Sequence, residues 1–310
     1  MPSLQDYTQQ SRYSDPREYA ALLADLPVDQ SADLANLADV VRNVLVHYRG
    51  AGIDFPPERL AEIDNRWVRR ILAADRRRFD TPLTAFRPEV DRVVGCCRDF
   101  TLLTVSALRA HGVPARSRVG FAAYFEAGFH HDHVITEFWD GERWVFADTQ
   151  VPSNESWPPF NPLDIALGID TFATAAQVWT AYRRGDIDVT QFGVGPDLPL
   201  RGDWFVRNYV LMELAHRQCD ELLLWDIWGV MSLELDGDLG LIDDVASLLL
   251  AADGGGDPVG AERGDTAAAE RKLAELYATD PRLNPGDRVR CHSPRGVTED
   301  VDLRVQMRVQ

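Results

Sequence analysis

The sequence predicts an α+β protein in which one helix packs on an antiparallel sheet, with additional helices on the N- and C-terminal sides. Three observations carry this. Between Gly95 and Thr149 the order of patterns is helix, strand, strand, strand. A polar turn, Asp140-Gly141-Glu142, joins the last two strands as a hairpin. Outside that stretch, apolar residues recur at three- and four-residue spacing, the period of a helix with one buried face. The 45% apolar content of the 310 residues supplies enough material for a core.

The elements follow in order. Residues 1–32 are polar and broken by Pro2, Pro16 and Pro27, with a short helix expected from Arg17 to Leu26. From Asp33, the spacing of Leu34, Leu37, Val40, Val41, Val44 and Leu45 predicts a helix. Pro56-Pro57 interrupts it, and a second amphipathic helix is expected from about Glu58 to Arg78, followed by a loop over 81–94. Cys97 to Ala110 places Phe100, Leu103, Thr104, Ala107 and Leu108 on one stripe, and His111-Gly112 ends the helix before Pro114. Strands are expected over Ser117–Phe125, His133–Trp139 and Arg143–Ala147. Further helices are expected over Asp170–Arg184, Trp204–Leu224, Leu239–Ala251 and Thr266–Ala278. Asp253 to Pro258, rich in glycine, reads as a flexible joint, and the last twenty-five residues as a surface tail.

The formal charge of −17 argues against nucleic acid or an anionic membrane as partner, because both repel a polyanion. The opening residues Met-Pro-Ser-Leu-Gln-Asp-Tyr lack a basic stretch followed by an apolar one, and no apolar run is long enough to span a bilayer. Four cysteines, two of them adjacent, make a poor disulfide framework. A cytoplasmic setting with free thiols is expected.

Chemistry concentrates in the central stretch. A thiol is a nucleophile when ionised, and both a helix N-terminus and an imidazole favour that state. Cys97 opens a helix just after Gly95. His133 at the start of one strand and Asp148 at the end of the strand hairpinned to it become neighbours at one sheet edge, so base and orienter can meet the thiol. His131 and His133 alternate on their strand and could, with Asp132 or the two cysteines, bind zinc instead, though His-x-His is a weak signal. Asp99 in the first helical turn complements the helix dipole, and Asp236-Gly237-Asp238 makes no calcium loop.

Gly95-Cys96-Cys97-Arg98-Asp99-Phe100, then Leu108-Arg109-Ala110-His111-Gly112-Val113-Pro114-Ala115-Arg116, then His133 with Glu137, then Arg143-Trp144-Val145-Phe146-Ala147-Asp148-Thr149, resemble the core of the transglutaminase-like superfamily. The flanks, including Trp225-Asp226-Ile227-Trp228-Gly229, resemble its bacterial stand-alone members. The resemblance implies a papain-like fold, with Cys97 as nucleophile, His133 as base and Asp148 as orienter. Its Gly-x-Cys-Arg-Asp spacing favours Cys97 over Cys96, and the spacing to Glu137 and Asp148 favours His133 over His130 and His131. Val134 and Ile135 stand where the family commonly has an aromatic residue. The expected organisation is an N-terminal helical segment over 1–94, a catalytic core over 95–160, and a C-terminal helical region and tail over 161–310 that forms one unit with the core. The implied activity is thiol-dependent acyl transfer or amide hydrolysis through a Cys97 thioester. Its substrate would be a small molecule, a peptide or a carrier-bound acyl group, and no cofactor is needed. A module that binds without catalysis is the alternative.

Overall fold

The computed structural model describes residues 6–26, 28, 34–152, 157–254 and 265–304. After a short helix α1 (Ala20–Ala24), α2 (Leu34–Val44) buries Leu37, Val40, Val41 and Val44, the stripe its spacing predicts. The chain passes directly into β1 (Leu45–His47). The single helix expected over 58–78 is instead two, α3 (Pro57–Leu60) and α4 (Val68–Arg76), separated by a 3-10 turn and an extended Trp67. Tertiary contacts explain the break. The buried Arg66 guanidinium grips both carboxylate oxygens of Asp226, and the Arg66 carbonyl accepts from Arg98 Nη2 at 2.5 Å. A continuous helix would forfeit both. Within the expected loop over 81–94 lies β2 (Val93–Gly95), which pairs in parallel with β1 so that His47 stands opposite Gly95.

Helix α5 (Cys97–Ala110) has the predicted bounds. Gly112 turns the chain at φ +72°, and Val113 N–H donates to Leu108 O at 3.0 Å. The strands β3 (Ala115–Glu126), β4 (Phe129–Trp139) and β5 (Trp144–Ala147) pair antiparallel, with Val119 opposite Val134 and Thr136 opposite Ala147. His133 is therefore mid-strand rather than at a strand start. The start of the helix expected from Asp170 contains a strand, β6 (Phe172–Thr174), on the other side of β3. Gly120 permits this approach, since a Cβ there would lie 2.1 Å from Ala173 O. Helix α6 (Ala175–Arg184) begins at Thr174 because Thr174 and Gln177 cap each other's backbone N–H groups. Next, β7 (Phe192–Gly193) runs parallel beside β4.

Helix α7 (Asp203–Arg217) stops short of the expected Leu224, and Cys219 adopts φ +62° as the chain turns away. Then come β8 (Asp226–Ile227), α8 (Leu239–Ala252), α9 (Thr266–Thr279), β9 (Arg288–Ser293) and β10 (Val297–Asp302). The expected tail is thus largely a hairpin joined to β8, because Val289, Cys291 and Val301 bury their side chains. Of the expected joint, Asp253 is pinned by Arg118 and Arg217, whereas 255–258 lie outside the described residues. One apolar cluster runs through Val41, Leu103, Val119, Trp179, Val210 and Leu273, so helices before and after the central unit share its core. The result is an α+β fold with α5 packed on an antiparallel sheet. Among the described residues no helix is long and apolar enough to cross a membrane.

Candidate active site

Gly-Cys-Cys-Arg-Asp forms a helix-capping device. Asp99 Oδ2 accepts from the Cys96 N–H at 2.9 Å, which satisfies a donor that opens α5, and Arg98 holds the other oxygen at 3.0 Å. A Cβ on residue 95 would stand 2.9 Å from Asp99 Oδ2, so glycine leaves room for the cap. Asp99 therefore fixes the backbone that presents Cys97, as well as complementing the dipole.

The structure brings the three expected residues together. His133 Nε2 meets Asp148 Oδ2 at 2.7 Å, and the Cys97 thiol interacts with the same imidazole, whose remaining nitrogen is Nδ1. Thr101 Oγ1 donates to Val134 O at 2.8 Å, which locks α5 against the strand carrying His133. Asp148 leaves β5 held on three sides. Its N–H donates to Pro162 O at 2.7 Å, its Oδ1 accepts from Gln150 N–H at 3.0 Å, and its Oδ2 also accepts from Tyr124 OH at 2.7 Å. All three side chains are buried.

The electrostatics follow from these contacts. A hydrogen bond from the Cys96 thiol, joined by His133, outweighs burial and lowers Cys97 to about 6. Burial alone would depress His133, but the Asp148 charge and hydrogen bond, with the Cys97 thiolate, raise it to about 10. Burial likewise works against the Asp148 carboxylate, yet His133 and Tyr124 hold it below its ordinary range. Both shifts favour the thiolate–imidazolium form of the pair.

Other candidates point elsewhere. His130 stacks on Phe192 at 4.1 Å and bonds to Ile169 O. His131 does share a face with His133, but its ring nitrogens meet Glu126 Oε2 at 3.1 Å and Val194 O at 3.2 Å. Among the described residues no group of three or more His, Cys, Asp or Glu side chains is arranged to hold a metal. Sequence reasoning did not single out Tyr124 and His47, and it set Cys96 aside in favour of Cys97; strand alternation places Tyr124 on a face but gives no sign of its Asp148 contact.

Cys97 and His133 open into a cavity of about 620 Å³ with Phe205, Met212, Leu224 and Met231 among its lining. At its polar side Tyr209 OH donates to the half-buried Asp132 carboxylate.

Comparison with known proteins agrees with this geometry in one respect. The chain matches the transglutaminase-like superfamily over residues 60–149. No curated protein matches it. A solved structure described as "a Putative Cysteine Protease from Cytophaga hutchinsonii" is similar at 19% identity and a TM-score of 0.32, over 47% of this chain and 41% of that one. Residues 60–149, which hold Cys97, His133 and Asp148, thus match the core of the transglutaminase-like superfamily.

Proposed function

We propose that the protein is a thiol-dependent enzyme that transfers or hydrolyses an acyl group through a thioester on Cys97, with His133 as acid and base and Asp148 as its orienter. The observation that carries this reading is the chain of contacts from Asp148 through His133 to a thiol at a helix N-terminus. The Cys97 thiolate adds to an acyl carbonyl, forming a C–S bond while the π electrons move to oxygen. Collapse expels the leaving group, which takes the proton from His133 Nδ1. An acceptor, water or an amine, then gives its proton to His133 and attacks the thioester, and the thiolate departs. The apolar lining of the cavity supports an acyl group with an apolar body carried by a small molecule, peptide or carrier.

Iodoacetamide labelling across pH, with the modified cysteine mapped by mass spectrometry, tests the pair. Cys97 is expected to label with a midpoint near 6, and His133→Ala to move that midpoint upward. Turnover of an acyl ester or amide panel should vanish in Cys97→Ala and fall about 10²–10⁴-fold in His133→Ala. Labelling of Cys97 only near the ordinary thiol value of about 8.5, indifferent to His133, would favour a binding module without catalysis.

A further inference from the structure

Acyl transfer needs donors aimed at the oxygen that becomes negative. At the first position of α5 the Cys97 N–H has no intrahelical acceptor and supplies one. A second donor lies on a different segment. His47 ends β1 directly opposite Gly95, and Tyr48 N–H donates to Gly95 O at 3.0 Å, so the strand pair clamps His47 beside the turn into Cys97. His47 and Cys97 line the same cavity.

The tautomer of His47 follows from its own loop. Nδ1 accepts from Gly50 N–H at 2.9 Å and from Arg49 N–H at 3.2 Å. A nitrogen that accepts two backbone donors carries no proton, so the proton of the neutral ring resides on Nε2. Nε2 has no protein partner among the described residues. Desolvation in the cavity wall, with His133 and Arg49 adding to it and Asp148 opposing, pulls the half-buried imidazole down to about 3, so the ring is neutral at neutral pH. A neutral imidazole fixed as a donor suits a developing oxyanion, because it cannot give up its proton to the thiolate nearby.

We propose that His47 Nε2–H, beside the Cys97 backbone N–H, donates to the oxyanion formed when Cys97 adds to an acyl carbonyl. The inference rests on the acyl-transfer reading above. No proton leaves His47; the hydrogen bond strengthens as charge builds on the oxygen and relaxes when the carbonyl reforms.

Two reactions of the same thiol separate this role from a structural one. Acylation by p-nitrophenyl acetate, followed as the burst of p-nitrophenolate, passes through an oxyanion; alkylation by iodoacetamide does not. In His47→Ala, acylation is expected to fall about 10²–10³-fold while the alkylation rate and its pH midpoint hold. In His47→Gln, whose amide can still accept from Gly50 and donate into the cavity, acylation should recover at least in part. Equal acylation in wild type and His47→Ala would overturn the proposal, as would a joint loss of both reactions that His47→Gln does not reverse. Wild-type Cys97 that neither acylates nor alkylates at neutral pH would instead remove the thiol reading, and the proposal with it.

Discussion

The Cys97 thiol is held low by its neighbour Cys96 together with His133. Cys96 is buried, and its own ionisation is pushed well up, so it remains a protonated donor. Cys96→Ala should therefore raise the pH midpoint of Cys97 labelling, whereas Cys96→Ser, which keeps a donor, should hold it nearer the wild-type value. Labelling curves on the three proteins check this; identical midpoints would reject the role. At this scale the sequence was legible where the backbone changes character. Cys97 opens a helix and Asp148 follows a strand, and both stand where expected. Cys96, Tyr124 and His47 were not legible in these roles. The Cys96 role depends on side-chain orientation, and the other two on contacts between segments that meet only in the folded chain.

Elements were readable from periodicity, and their ends were not. The helix over 97–110 and those beginning at Leu239 and Thr266 fell where expected, because one stripe faces one core. The 58–78 pattern broke because Arg66 answers to Asp226, 160 residues away, a demand no local spacing encodes. The same kind of long-range pairing ties the sheet to its helices. Arg118 on β3 is fully buried and donates to Glu137 on β4 at 3.0 Å, to Glu213 on α7 at 3.0 Å and to Asp253 after α8 at 2.6 Å. Arg118→Met keeps the volume but leaves carboxylates unmatched, so a loss of about 3–5 kcal/mol is expected. Urea unfolding should show a lower midpoint with an unchanged slope, and Cys97 labelling in the folded variant should keep its midpoint.

Across the whole molecule, stability should depend on pH through imidazoles of opposite sign. His216 is buried, bonded to Leu222 O at 3.1 Å and Ser117 Oγ at 2.8 Å, and burial together with Arg98 lowers it to about 3, as burial lowers His47. The unfolded chain takes up protons on both near 6.5, which the folded chain refuses until about 3, so their contribution is lost as pH falls through that window. His133 runs the other way: raised to about 10, it contributes fully below 6.5 and loses that contribution as pH rises through 10. Cys97, lowered to about 6, loses its contribution as pH falls through 6. The urea midpoint should accordingly be lower at pH 5 than at pH 7, with a smaller drop in His216→Asn. An equal drop in both would dismiss His216 as a source.

Much of the cavity wall comes from segments of the chain that follow the reacting groups it surrounds. Cys97, His133 and Asp148 fall inside the stretch shared with the superfamily, while Phe205, Met212, Leu224, Met231 and Pro294 of the wall lie beyond it. Substitutions at Phe205, Met212, Leu224 and Met231 can therefore recut the pocket while Cys97, His133 and Asp148 stay in place.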